Sequence, residues 1–209
     1  MPKFLSGILA IVMLCGIWCA CTSHASENNK KLKKEAAGVG VEITQLKQHA
    51  KSVSDYIRKN GFNTRFCFLV NMSKPSGSNR FYVYNLEKDS VEVSGLVAHG
   101  RCNENWLEGR KYSNVNGSGC TSLGRYKIGK PYHGQWGLAY KLYGLDATNS
   151  NAFNRYVVLH SHTCVPANEV APDDICQSDG CPTVAPAFLA KLAKKLDASS
   201  KPVLLYIYQ

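Results

Sequence analysis

The 209-residue chain is 44% hydrophobic, with nine cysteines and a formal charge of +10. That length holds one domain with a real core, and no internal period marks a repeat array. The basic residues are not interleaved with aromatics as in nucleic-acid binders, so no nucleic-acid partner is expected; a basic surface suits an anionic polymer such as cell wall or lipid headgroups.

Lys3 precedes the apolar run "FLSGILAIVMLCGIWCA". A basic start followed by an apolar stretch reads as an export signal, slightly short of the roughly 20 residues a membrane span needs. "WCAC" sets Ala20 before Cys21, the small-then-cysteine order of a bacterial lipoprotein signal, while "SHA" ending at Ala25 suits ordinary signal peptidase. The favoured expectation is a signal over 1–21 with Cys21 lipidated, a basic polar linker over 22–40 containing "KKLKK", and a domain over 41–209. Membrane contact would run only through that lipid anchor. The expected location is the periplasm or cell envelope, and the expected state is a monomer.

Along the domain, Ile43, Leu46, Ala50, Val53 and Ile57 recur at three- and four-residue steps, which predicts a helix closed by Asn60 and Gly61. "RFCFLVNM", "RFYVYNL" and "SVEVSGLVAH" are rich in aromatic and β-branched residues and predict strands joined by tight turns. Residues 100–137 are rich in Gly, Asn and Tyr and predict an irregular functional loop region or short strands and turns. "LAYKLYGL" and "RYVVLH" predict two more strands. "APAFLAKLAKKL" predicts a helix with Pro186 in its first turn and Phe188, Leu189, Leu192 and Leu196 inward. "PVLLYIYQ" predicts a final strand. The fold class is α+β and β-rich.

Export would remove or modify Cys15, Cys19 and Cys21, leaving Cys67, Cys102, Cys120, Cys164, Cys176 and Cys181 for an oxidising compartment. Connectivity does not follow from sequence; Cys102–Cys120 and Cys164–Cys176 are the local pairings. Cys67, inside a strand, reads as a buried packing thiol.

Two histidines and three cysteines fall between His160 and Cys181. Zinc ligands usually pair about two to four residues apart, whereas Cys164 and Cys176 are 12 apart, so no metal is expected. A nucleophile fits better. His160 closes the apolar strand "YVVLH". Cys181 follows Gly180, which admits close backbone approach, and precedes a helix whose positive end would favour the thiolate. A Cys/His pair can carry nucleophilic acyl transfer, with nearby backbone N–H groups holding an oxyanion.

"RYVVLHS" followed by "SDGCP" resembles the L,D-transpeptidase (YkuD-like) catalytic domain, whose motif is a His, a spacer of about 14 to 17 residues, then [S/T]-x-G-C. Residues 161–177 are the 17-residue spacer here. "GLVAHG", "TSLGRYKIGKPYHGQWGLAYKLYGLD" and "NSNAFNRYVVLH" extend the resemblance to the murein branch, over about residues 90–209. It implies a β-sandwich or barrel with an N-terminal helix and a helix after the cysteine. It further implies an enzyme acting without a cofactor on peptidoglycan stem tetrapeptides through a Cys181 thioester, passing the acyl group to an amine, or to water as a carboxypeptidase or endopeptidase. His160 would be the base, the Ser161 carbonyl its orienting group, and Ser178, Gly180 and the Cys181 N–H would shape the turn and oxyanion hole. Asp179 stands where many relatives have His, and Pro182 and Thr183 stand where many have Arg or Asn. A non-catalytic wall-binding lipoprotein is the other reading, which the intact His160, Ser178, Gly180 and Cys181 argue against.

His162 also fits the spacer, and strand alternation turns it to the same side as His160; His160 is preferred because it closes the apolar strand and matches the His-Ser position. For substrate binding, His99 is a candidate cleft residue, Tyr132, His133 and Trp136 a candidate stem-peptide wall, and Arg155 a candidate carboxylate ligand. Each has a plainer reading: a structural polar residue, packing aromatics and a surface ion pair.

Overall fold

A computed structural model describes Lys33 and residues 40–209. The expected signal and lipidation site at 1–21, and the expected linker at 22–40 apart from Lys33 and Gly40, lie outside the described residues. Contacts divide the chain into Met1–Gln45 and Leu46–Gln209. In the first unit residues 40–45 are helical; the second contains the sheet and the site.

Helix α1 spans residues 40–59. Leu46, Ala50, Val53 and Ile57 are buried, at the predicted spacing, but Ile43 is 47% exposed, so the buried face starts one turn later than expected. Gly61 ends the helix at φ +71°, and the Phe62 N–H reaches back to the Ile57 carbonyl at 3.1 Å. That backward bond needs a left-handed residue, which glycine supplies without a Cβ clash.

Among the described residues nine strands form one sheet: β1 (Phe66–Asn71), β2 (Phe81–Asn85), β3 (Ser90–Gly95), β4 (Val97–Ala98), β5 (Gly124–Gly134), β6 (Gly137–Gly144), β7 (Val158–Ser161), β8 (Thr183–Val184) and β9 (Leu204–Tyr208). Their order is β3-β2-β1-β9-β5-β6-β7-β8-β4. The two edges, β3 and β4, are separated in sequence by Leu96 alone, so the sheet must curl until its ends nearly meet, as in a barrel. This corrects the sequence reading at "SVEVSGLVAH": one expected strand is two, and the chain crosses there from β2 to β8.

Strand alternation sorts the interior. Cys67 and Leu69 on β1 face the α1 cluster, while Phe68 and Val70 face the main core with Val83, Leu142 and Leu159. Helix α2 (Pro186–Asp197) begins with Pro186, whose missing N–H costs nothing in a first turn. It buries Phe188, Leu189 and Leu192 against that core. Each such side chain contributes about 1.5–3 kcal/mol, and Leu192→Ala would cost about 2–5 kcal/mol.

The irregular region is shorter than predicted. Residues 101–123 carry only an isolated bridge between Tyr112 and Thr121, but β5 then runs for 11 residues through "GRYKIGKPYHG". Glycine, lysine and proline hid it. Its pairing to β9 covers only Gly124 to Lys127, and beyond that β5 is a bulged edge on which such residues are tolerated.

Candidate active site

His160 lies on β7, in register with Ala139 of β6 on one side and Thr183 of β8 on the other. Both flanking strands hold it, and it is 6% exposed. Its Nδ1 is 3.2 Å from the Ser161 carbonyl oxygen and its Nε2 is 2.9 Å from Thr183 Oγ1. A carbonyl only accepts, so this network assigns the ring hydrogen to Nδ1 and the lone pair to Nε2, where the Thr183 hydroxyl donates. Thr183 has a second acceptor, the Cys181 carbonyl at 3.3 Å.

Cys181 sits two residues before β8, on a turn built by its neighbours. Ser178 Oγ donates to the Cys181 carbonyl at 2.7 Å and accepts from the Gly180 N–H at 3.2 Å. Gly180 has φ +110°, and a Cβ there would lie 2.7 Å from the Cys120 carbonyl oxygen. Only glycine fits. The Cys181 N–H has no hydrogen-bond partner among the described residues, so it is free to meet an anion. Ser178 is anchored from below: its N–H donates to the His99 carbonyl and its carbonyl accepts from the Arg101 N–H, both at 2.8 Å. Arg101 Nε also pairs with Asp179 Oδ1 at 2.7 Å on the exposed rim.

The Cys181 thiol is partly exposed. Its Sγ accepts from the Val158 N–H at 3.4 Å and lies 3.8 Å from the Tyr156 carbonyl oxygen. No hydrogen bond joins Sγ to the His160 ring. Burial pushes the Cys181 thiol above its ordinary pKa, outweighing the Val158 N–H and the Arg155 charge, which pull it down. Burial likewise holds His160 below its ordinary value, against the Ser161 carbonyl. The resting pair is a neutral thiol and a neutral imidazole. This corrects the expectation of a thiolate favoured by a helix end: α2 starts at Pro186, with β8 between it and Cys181.

The two local disulfides are present, Cys102–Cys120 and Cys164–Cys176. They leave Cys67 and Cys181 as the free thiols described. Cys67 is fully buried and desolvation raises it to about 12, as suits a packing residue. The first disulfide fixes the Cys120 carbonyl that abuts Gly180; the second joins the segments that follow His160 and precede Ser178.

The other candidates divide. His162 lies just beyond β7, where its Nδ1 accepts from the Cys164 N–H at 3.1 Å. The exposed Trp136 ring stacks on His160 at 6.1 Å between centroids and meets His162 edge-on at 5.2 Å, so both histidines share one face as alternation predicts. Tyr132 pairs with Ala139, in the cross-strand row of His160, but His133 pairs with Leu138 and alternates to the opposite face, a correction to its grouping with Tyr132. His99 is also corrected: it is 4% exposed and its Nδ1 is 3.0 Å from Arg80 Nη2. It borders a pocket of about 290 Å³ whose lining includes neither Cys181 nor His160. Arg155 makes neither the expected carboxylate site nor a surface ion pair. Its guanidinium donates to the carbonyls of Ser113 (2.7 Å) and Cys120 (2.5 Å), to Ser122 Oγ (3.3 Å) and to Ser118 Oγ (3.2 Å), clamping the loop behind Gly180.

A family profile described as the L,D-transpeptidase catalytic domain, YkuD_2, matches residues 38–208. The chain belongs to this family. Among solved structures it is similar to Pgp2, the helical cell shape determining protein of Campylobacter jejuni, at 14% identity over 69% of this chain and 47% of that one, with a TM-score of 0.44. It is similar to the L,D-transpeptidase from Xylanimonas cellulosilytica at 14% identity over 68% and 60%, with a TM-score of 0.39. For the L,D-transpeptidase from Mycobacterium smegmatis the values are 12%, 69%, 59% and 0.38. The chain spans about half the length of Pgp2. No curated protein matches it by sequence.

In this L,D-transpeptidase domain the residue that sequence reasoning missed is Thr183. It stood out only as a departure from a common Arg or Asn, and "TV" after Pro182 gave no sign of a strand paired with His160.

Proposed function

We propose that the chain is an exported peptidoglycan-modifying cysteine acyltransferase, acting as an L,D-transpeptidase on stem tetrapeptides and held to a membrane by a lipidated Cys21. Membership of the family supports the reaction class. The observation that carries the site assignment is the junction at β7 and β8, where the Thr183 hydroxyl touches both the buried His160 imidazole and the carbonyl of Cys181, whose free thiol sits on a glycine-dependent turn.

In this reading Cys181 Sγ attacks the carbonyl carbon of the L,D-amide and its proton passes to His160 Nε2. The thiol-to-ring hydrogen bond is absent at rest and forms with substrate bound, as catalytic hydrogen bonds often do. With substrate bound, Thr183 turns its hydrogen to the Cys181 carbonyl, which frees the single Nε2 lone pair to take the thiol proton, and the Oγ1 lone pairs then face the new N–H. One hydroxyl thus serves both charge states of the ring. The Ser161 carbonyl holds Nδ1–H throughout and favours the imidazolium. The Cys181 N–H faces the developing oxyanion. The amide C–N bond then breaks, the leaving amine takes the His160 proton, and a Cys181 thioester remains. Neutral His160 next deprotonates an acceptor amine, or water, which attacks the thioester carbonyl and breaks the C–S bond, and the leaving thiolate takes that proton back from His160.

Intact-protein mass spectrometry after mixing with a purified stem tetrapeptide tests this. The expected result is an adduct of the stem minus its terminal residue in wild type and none in Cys181→Ala. An adduct that persists in Cys181→Ala would overturn the assignment.

A further inference from the structure

β5 continues to Gly134, but its register with β9 stops at Lys127, and after the Ile128 N–H bond to the Val203 carbonyl at 3.1 Å its outer edge has no strand partner. The segment 197–203 runs opposite, leaving a groove of about 860 Å³. Lys127, Lys130, Lys141 and Lys201 line it against one acid, Asp197, whose Oδ1 already accepts from the Tyr140 hydroxyl at 3.2 Å. Among the described residues none of these four lysines is ion-paired.

Lysine and proline on a sheet edge guard against strand pairing, and that accounts for Lys130 and Pro131. It does not account for Lys127 and Lys141. Lys127 Nζ lies 4.9 Å from the Tyr143 ring centroid, and Lys141 Nζ lies 5.7 Å from those of both Tyr132 and Phe153. The Tyr143 and Phe153 rings stack at 5.1 Å and 10°. Each ammonium is held over a ring, with donors left for an anion. Gly129 accommodates this plate, since a Cβ there would lie 2.6 Å from the Tyr143 ring. Lys141 is two residues along β6 from Ala139, the register partner of His160, and alternation puts it on the His160 face.

We infer that this groove is a second binding site, separate from the thiol, for the carboxylate-bearing stem peptides of a peptidoglycan strand. The inference rests on the proposed substrate class. Lysines without acidic partners take the stem carboxylates. The strand is thereby held while one of its stems lies at Cys181.

The test is cosedimentation of the full chain carrying Cys181→Ala with purified sacculi stripped of covalently attached polymers, over a salt series. Adding Lys127→Gln, Lys130→Gln and Lys141→Gln should weaken binding about five- to tenfold at low salt, the sum expected of exposed charge pairs. Adding Lys51→Gln and Lys59→Gln on α1 should change it by less than twofold. Equal weakening in both variants, or none in either, would overturn the inference, as would binding only to sacculi that keep their anionic polymers. Because the assay uses a chain without the thiol, its failure is distinct from that of the catalytic reading. Wild type that acylates Cys181 while the lysine variant still binds normally would sink the groove alone.

Discussion

Thr183 Oγ1 lies 2.9 Å from His160 Nε2, and the two residues are register partners across the parallel β7–β8 pair. Thr183 is 3% exposed, so no water replaces its hydroxyl freely. Removing the hydroxyl in Thr183→Val leaves Nε2 without its acceptor once protonated. Losing a buried hydrogen bond costs about 1–3 kcal/mol, so kcat should fall about tenfold or more with KM little changed. Thr183→Ser should retain most of the rate. Steady-state kinetics on a stem tetrapeptide decide it; equal loss in Ser and Val would show that the methyl, not the hydroxyl, matters.

The neutral thiol–imidazole pair sets the reactivity of Cys181. Because burial raises the thiol pKa, alkylation by iodoacetamide should be slow at pH 7 and climb as pH passes the usual thiol range. Because burial lowers His160, the acid limb of kcat/KM should fall below the ordinary histidine value of about 6.5. A labelling rate already at its plateau below pH 7 would instead mean a preformed thiolate.

His99 gives the fold a pH dependence of its own. Burial first, then the charges of Arg80 and Arg110, lower it to about 4. The unfolded chain therefore binds a proton that the folded chain refuses between about pH 6.5 and 4. Stability is fully present above the unfolded value and is lost as pH falls through that window, by on the order of 2–3 kcal/mol. Urea unfolding at pH 7 and pH 4.5 should show the loss, and His99→Gln should flatten it.

Gly180→Ala should fail in two ways at once. It forces a side chain to φ +110° and drives a Cβ to 2.7 Å from the Cys120 carbonyl oxygen. A strained position of this kind costs about 1–3 kcal/mol. The turn carrying Cys181 must shift, so acyl-enzyme formation should drop below detection while thermal unfolding moves down by only a few degrees. Cys120 is itself fixed by Cys102 and by Arg155. Replacing both Cys102 and Cys120 by Ser should therefore slow acylation while relieving part of the Gly180→Ala defect.

What the sequence made legible was local. Leu46, Ala50, Val53 and Ile57 announced α1, Pro186 through Leu196 announced α2, and the His-spacer-Ser-Asp-Gly-Cys order pointed to His160 and Cys181. What stayed hidden depends on pairing between distant segments. β3 and β4 looked continuous because Val91 and Val93 lead on to Leu96 and Val97 with no separating turn, and only the closure of the sheet separates them. The strand through Gly129 and Pro131 looked like a loop because its outer edge needs no partner. Arg155 looked like a surface charge because its acceptors, from Ser113 to Ser122, come from a loop with no secondary-structure signal.

The claim that Cys181 is the nucleophile of an L,D-acyl transfer is tested most directly by digesting purified sacculi to muropeptides after incubation with wild type and Cys181→Ala. Wild type should yield new cross-linked dimers, or stems shortened at the L,D-amide, and Cys181→Ala neither. The same products from Cys181→Ala, or no product from wild type on any stem, would contradict the claim.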